Sequence, residues 1–561
     1  MMKTVSTLAA FLCCAMTVLT SCSNDDNENP VAIAYGKVFN YTSAGQTLYY
    51  VADSLSQTAT LVAPLYPDYP KDEILRIDGW QGYEKPKGDV TVPESVECGG
   101  MRFPVSALGE GAFSLCSDIS SVKLPEGITA ISPQVFDNCT GLKAVNLPNR
   151  LTSIEKWAFA DCKSLSAIEL PESLTTIGQS CFSGCESLTA ITIPSKIETV
   201  SIAAFANCTS LTTVKLPKGI TAIEDYAFFY CYSLSEINLP EGLTAIGHFA
   251  FDQCKSLSAV KLPECLTVMG HHCFTGAESL TSVTVPGNIQ SFGEGVFMDC
   301  TGLTSAILNE GLATIGTFMF ANCSNLTTVN LPEGITTIGL AAFWCCRNLK
   351  GITFPSALTA IEDWAFQYAE KIGPDIVIPE GVTSIGIGAF GDCYNMASIT
   401  LPNTLQDIGE FALAACTKLN NVSFPDHLTH LADQVLQDCT SLTICHLPAQ
   451  MEYIDNYLFW NSGITNIDIP EHVTRINEGA FYQCLSLKEL TLPASVTELA
   501  DSVFAKGTVL EKLSLAASVP PSVTEKTFDN YTTAITVPKG TGNAYRSHDI
   551  WGRFATIREE E

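Results

Sequence analysis

Basic side chains are scarce in this chain of 561 residues: 30 lysines and arginines stand against 59 aspartates and glutamates, a formal net charge of −29. No basic stripe appears anywhere, so the electrostatic footprint of a nucleic-acid binder is missing. An acidic surface instead favours solubility and mutual repulsion between copies, and nothing points away from a monomer. The motifs that carry common chemistries are missing too. There is no G-x-S-x-G, H-E-x-x-H, P-loop or dinucleotide-binding context, and no D-x-D-x-D-G calcium loop. The chain has 23 cysteines, yet none shows C-x-x-C zinc spacing. Only one apolar run, residues 5–19, approaches membrane length, and it is too short for a comfortable span. These gaps leave no catalytic, cofactor-binding or metal-ligating residue to assign, and the expectation is a protein that is not an enzyme.

What is present is a 23-residue unit, repeated from about Ala107 to Lys506. One copy, residues 239–261, reads L-P-E-G-L-T-A-I-G-H-F-A-F-D-Q-C-K-S-L-S-A-V-K. Its proline recurs at Pro125, Pro148, Pro171, Pro194, Pro217, Pro240, Pro263 and Pro286, and again at Pro332 and Pro355. So short a period held for about 17 coils predicts a solenoid, because no single unit can bury its own apolar face. Val260 and Leu262 alternate with Lys261, the period of a short strand. Pro263 ends it, lacking an N–H for a ladder. Leu243 and Ile246 then turn inward, Ala250-Phe251 fills the middle, and Cys254 and Leu257 close the coil.

Fourteen cysteines occupy that one slot, from Cys116 to Cys484, and alanine, serine or glycine replaces them at Ala277, Ala369, Ser462 and Gly507. A residue exchangeable with alanine reads as a small buried filler, so free thiols are expected. Glutamates after the proline, such as Glu126, Glu241, Glu333 and Glu380, read as solvated turn residues. Histidines are few. His271 and His272 are neighbours in the chain and point apart, while His427, His430 and His446, with Asp426 near them, belong to adjoining coils. The outward strand lane two before each proline (Lys123, Asn146, Glu169, Thr192, Lys215, Asn238, Lys261, Thr284) holds one carboxylate in eight coils, too few for a lyase or hydrolase groove.

The positions that the repeat leaves free are richer. Two before the core phenylalanine stand Trp157, Tyr226, Phe249, His272, Phe318, Trp364, Phe411 and Tyr457; one after it stand Phe229, Trp344, Trp460 and Tyr482. Aromatics on a rigid array make good contact residues for proteins or sugar rings. Two groups are candidate ligand contacts: Tyr226, Phe229, Tyr230, Tyr232 and Phe249 in one pair of coils, and Trp344, Trp364 and Tyr368 in another. The alternative is that these rings shield coil edges and pack on each other. The beat slips twice, to 24 residues between Pro355 and Pro379 and to 22 between Pro448 and Pro470, which predicts local bulges.

The repeated L-P-E-G-L-T-x-I-G-x-x-A-F-x-x-C resembles the BspA-like family of bacterial leucine-rich-repeat surface proteins, over most of the chain. The resemblance implies a leucine-rich-repeat solenoid, a right-handed α/β-type superhelix with a parallel sheet on one face. It also implies surface display, adhesion to host or partner macromolecules, and no catalytic residues. The N-terminus fits that address: Lys3, the apolar run, then Leu19-Thr20-Ser21-Cys22, which looks like a bacterial lipobox with lipidation at Cys22. Ser23 to Pro30, S-N-D-D-N-E-N-P, resembles the acidic export signals of Bacteroidetes surface lipoproteins. The expected organisation is a signal peptide (1–21), an acidic tether (22–30), a β-rich N-terminal cap (31–106), the solenoid (107–508) and a C-terminal cap (509–561). The expected molecule is an outer-membrane lipoprotein exposed at the cell surface, touching the membrane only through its anchor. It carries no cofactor and no metal. It binds a macromolecule, a protein or alternatively a glycan or mucin, or serves as a passive spacer.

Overall fold

The structure, a computed structural model, describes residues 35–66, 78–508 and 510–561. Cys22 and the acidic tether lie outside the described residues. The chain divides into two compact units, Met1–Glu186 and Ser187–Glu561.

The first unit opens with an antiparallel meander, Val38–Ser43, Gln46–Asp53 and Thr58–Val62, to which Met101–Leu108 adds in parallel and Ser95–Cys98 antiparallel. Its core includes Tyr50 and Phe103, both fully buried. Trp80 is buried as well, and its indole N–H donates to the carbonyl of Ala112 at 3.0 Å, just before the first coil phenylalanine, Phe113.

Coils of the same design fill the rest of both units, about 19 turns of parallel-sheet solenoid. One coil of the second unit shows how the sequence makes it. Thr213–Lys215 pairs in register with Ala190–Thr192 before it and Glu236–Ile237 after it, each one repeat away. The expected single parallel sheet is joined by a second: the T-x-I segment is itself a strand, with Ala222–Ile223 paired between Thr199–Val200 and Ala245–Ile246. Its threonines explain themselves, since Thr244 and Thr267 each donate Oγ1 to the backbone carbonyl of the threonine one coil earlier, at 3.1 and 3.2 Å. The coils are β-rich, as expected, and nearly without helix. Among the described residues the only helices are Gly542–Arg546 and the 3-10 turn Trp551–Arg553.

The core is a ladder of phenylalanines. Within the second unit Phe205, Phe228, Phe251, Phe274, Phe297, Phe320, Phe343, Phe366 and Phe390 stack face to face, with centroids 5.1–5.7 Å apart. That spacing follows the strand separation of about 4.8 Å. Leu413 and Leu436 then take the slot, both buried, and the rings resume at Phe459, Phe481, Phe504 and Phe528. Trp551 and Phe554 meet Phe528 edge-on and close the ladder. Trp551 Nε1 donates to the carbonyl of Pro521 at 2.8 Å and Tyr545 Oη to that of Ala517 at 2.7 Å, which ties this aromatic lid to the chain before it.

The cysteines of the repeat slot are free and buried. They do more than fill space: Cys323 Sγ donates to the carbonyl of Phe297 at 3.1 Å, and Cys346 to that of Phe320 at 3.1 Å, linking each coil to the one before. Where Gly507 holds the slot, its neighbour Thr508 makes the same bond to Phe481 at 2.6 Å. The two slips are absorbed between strands. Ala360–Ile361 pairs with Ser384–Ile385, and Tyr453–Ile454 with Arg475–Ile476, so register survives on either side.

Candidate functional site

Each coil turns sharply two residues before and two after its core phenylalanine, and both positions lie in left-handed backbone. Tyr226, Tyr230, Phe249, Trp364, Tyr368 and Tyr457 have φ between +53° and +60°. Glycine takes this conformation freely and does so at Gly388 and Gly479. For other residues it costs about 1 kcal/mol. The chain therefore places large rings where a small residue sits more easily.

The first group of rings comes together. Tyr226 stacks on Phe249 at 5.1 Å, and Phe249 on His272 at 5.1 Å. Phe229 meets Tyr226 edge-on at 5.4 Å and stacks on Tyr230 at 4.0 Å, which stacks on Tyr232 at 5.5 Å. Tyr226 and Tyr232 are exposed, the other three half-buried. Lys255 sits over Tyr232 at 6.0 Å and pairs with Glu278 at 2.8 Å. Beneath the group, Asp252 is buried, and that burial pushes its carboxyl up to about 6.

The second group is looser. Among the described residues no ring contact joins Trp344, Trp364 and Tyr368. Trp364 is exposed and lies over Gly388, where an added Cβ would come within 2.8 Å of its Cδ1. Tyr368 lies under the guanidinium of Arg347 at 5.9 Å, and Arg347 pairs with Glu370. Trp344 is half-buried. A third group uses the same slots, and the sequence names its members without bringing them together. Tyr457, Trp460 and Tyr482 meet mutually at 5.6–6.1 Å. Trp460 Nε1 donates to Gln483 Oε1 at 2.9 Å, and Tyr457 Oη to Glu478 Oε1 at 2.7 Å. Looking for two aromatic slots filled in adjoining coils would have found it.

Along the second sheet, shallow grooves run beside these rings. One, of about 490 Å³, is lined by Ala245, Val268, Glu224, Asp225, His248 and His271 among others. Another, of about 550 Å³, is lined by Ile361, Glu362, Asp363, Leu340 and Ile387 among others. His248 and His271 stack at 4.8 Å, and each Nδ1 accepts a backbone N–H from the next coil, of His271 and Glu294, both at 2.9 Å. That tautomer leaves Nε2 protonated and unsuited to a metal. His427 Nε2 contacts the carbonyl of Leu405 at 2.8 Å, and His430 stacks on Tyr453. No three histidine, cysteine or acidic side chains are arranged to hold a metal ion among the described residues. The turn glutamates bond locally: Glu333 accepts from the N–H and hydroxyl of Ser356, and Glu241 pairs with Lys261. No described helix is long and apolar enough to cross a membrane.

Stacked coils with two parallel sheets, a phenylalanine ladder and aromatic turns define a leucine-rich-repeat solenoid. The BspA type leucine rich repeat region matches residues 106–234, 175–302, 290–390, 373–485 and 452–543, and the chain belongs to that family. Among solved structures it is similar to a leucine-rich repeat protein from Bacteroides ovatus, at 24% identity over 72% of this chain and 100% of that one, with a TM-score of 0.52. It is also similar to a leucine rich cell surface protein from Faecalibacterium prausnitzii, at 22% identity over 87% of this chain and 96% of that one, with a TM-score of 0.31. No curated protein matches the chain.

Proposed function

We propose that this is a non-catalytic surface protein that recognises a macromolecular partner, a host matrix protein or another surface protein, through the aromatic turns of its repeats. It is held at the outer membrane by a lipid on Cys22. The observation that carries the reading is the exposure of Tyr226 and Trp364, about 40% each, at a turn position whose residue changes from coil to coil. The contact is shallow and multivalent, spread over several coils, as suits a surface with shallow grooves.

A glycan or mucin is the second reading, favoured by the exposed indole of Trp364. It is weakened by the stacking of Tyr226, Phe249 and His272, which hides ring faces that a sugar needs. The test is binding of the purified chain to a panel of matrix proteins, mucins and neutral glycans, with and without calcium. A saturable protein partner, weakened at least tenfold in a Trp344/Trp364/Tyr368→Ala variant that still folds, supports adhesion through that patch. A glycan partner promotes the second reading. Silence across the panel from a folded sample leaves a passive spacer.

A further inference from the structure

The binding reading leaves the partner's chemistry open, and a duplicated motif narrows it. Residues 223–228 read I-E-D-Y-A-F and residues 361–366 read I-E-D-W-A-F, six coils apart in the second unit. Both copies make the same bonds. Glu224 Oε2 accepts the N–H of Ile202 at 3.0 Å and Asp225 Oδ1 that of His248 at 2.6 Å. Glu362 Oε2 accepts the N–H of Leu340 at 2.7 Å and Asp363 Oδ1 that of Ile387 at 2.7 Å. The second oxygen of each carboxylate carries no hydrogen bond among the described residues. In both copies the ring leans toward the following coil, onto Phe249 or Gly388. The same slot one coil earlier is alanine, Ala203 or Ala341, so no ring stacks from that slot.

A third copy places a cation beside the ring. Residues 154–159, in the first unit, read I-E-K-W-A-F, with lysine in the aspartate slot. There Lys156 Nζ lies 4.9 Å from the ring centroid of Trp157. Three other cations also lie over rings: Lys255 over Tyr232, Arg347 over Tyr368 and Arg553 over Tyr531. Among the described residues no lysine or arginine lies over Tyr226 or Trp364.

We propose that Tyr226 with Glu224 and Asp225, and Trp364 with Glu362 and Asp363, are twin receptors for lysine or arginine side chains on one basic, extended protein segment. A ring face attracts a cation through its quadrupole, and an adjacent carboxylate adds a charge-assisted hydrogen bond. The net charge of −29 draws such a segment in and repels acidic glycans. The phenylalanine ladder spaces the two sites by roughly 30 Å, about nine residues of extended chain. The assignment rests on the binding reading above.

The test is fluorescence anisotropy of the purified chain with a labelled peptide carrying two Arg-Arg pairs separated by about nine Gly and Ser residues. The same peptide with citrulline in place of arginine is the neutral control. We expect saturable binding of the arginine peptide alone. Trp364→Ala or Tyr226→Ala should weaken it about threefold, and the pair about tenfold. Glu224→Gln/Asp225→Asn and Glu362→Gln/Asp363→Asn, which keep the backbone acceptors, should each do the same as the single ring variants. Glu241→Gln/Glu264→Gln, which removes equal charge from the turn edge, should leave binding unchanged. Equal binding of the citrulline peptide, equal loss in the edge variant, or no binding would overturn the assignment. A matrix protein that binds the chain but ignores these variants would also overturn it, and would leave the surface-binding reading standing. Peptide binding as expected, with silence toward every macromolecule, would support the twin sites and count against that reading.

Discussion

A tryptophan with φ near +55° is an uncomfortable residue, and Trp364 is one of several in this chain. The sequence shows which slots vary, but the backbone conformation that makes the choice expensive is visible only in the structure. The cysteines divide the same way. Their slot, shared with alanine, marks them as buried, yet the sulfur's bond to a carbonyl one coil back is not written in any local pattern. Burial raises the Cys323 thiol well above its ordinary value. Among the described cysteines, the native chain should therefore resist an aromatic disulfide reagent, with half-buried Cys265 reacting early, and the slot cysteines should follow only as urea unfolds it. Rapid labelling of the slot cysteines under native conditions would contradict this. Asp455 makes a prediction in pH. It is buried, accepts the N–H of Leu431 at 2.9 Å, and burial with nearby Asp433 pushes it from 3.8 to about 7. Between those values the folded chain holds a proton that the unfolded chain has released, so stability falls as pH rises through this window. Asp455→Asn keeps an acceptor, and the next coil already carries Asn477 in that slot. The variant should be more stable by about 2 kcal/mol at pH 8 and no different near pH 3. Thermal melts at the two pH values check it.

At the scale of the coil, the phenylalanine ladder was legible because one large apolar residue recurs at one slot, and so was the strand before each proline. The second sheet was not. Its strands are two residues long, as at Ala222–Ile223, too short for alternation to appear. They exist because stacking pairs them, a tertiary cause. Phe320 is fully buried between Phe297 and Phe343. Phe320→Ala should cost about 4 kcal/mol and Phe320→Leu about 1 kcal/mol, since Leu413 and Leu436 serve in the same slot elsewhere. Urea titration of the two variants measures the difference, and equal losses would sink the account of the ladder. Gly388→Ala puts a Cβ at positive φ and against the indole of Trp364. It should destabilise by about 1 kcal/mol and shift the tryptophan emission as the ring is displaced.

At the scale of the whole molecule, the repeats specify a solenoid more clearly than they specify a ligand. Family and fold follow from the repeat, which every coil restates. The site does not, because the proposed contacts lie at the positions where coils differ, which the repeat does not restate. Tyr226 to Tyr232 lie close enough in the chain to be grouped from spacing alone, whereas Tyr457, Trp460 and Tyr482, whose slots are equally visible, come together only on stacking. The outward positions of the strand before each proline supply an internal control. Ile307, Val377 and Ile444 are apolar and more exposed than any of the turn aromatics, yet they sit in ordinary strand backbone that carries no strain. The most direct measurement compares partner capture by three folded proteins: the parent chain, a Tyr226/Phe249/Trp364→Ala variant, and an Ile307/Val377/Ile444→Ala variant. The account predicts that a macromolecule bound by the parent is lost at least tenfold by the first variant and kept by the second. Loss in the strand variant with full binding by the aromatic one would contradict it.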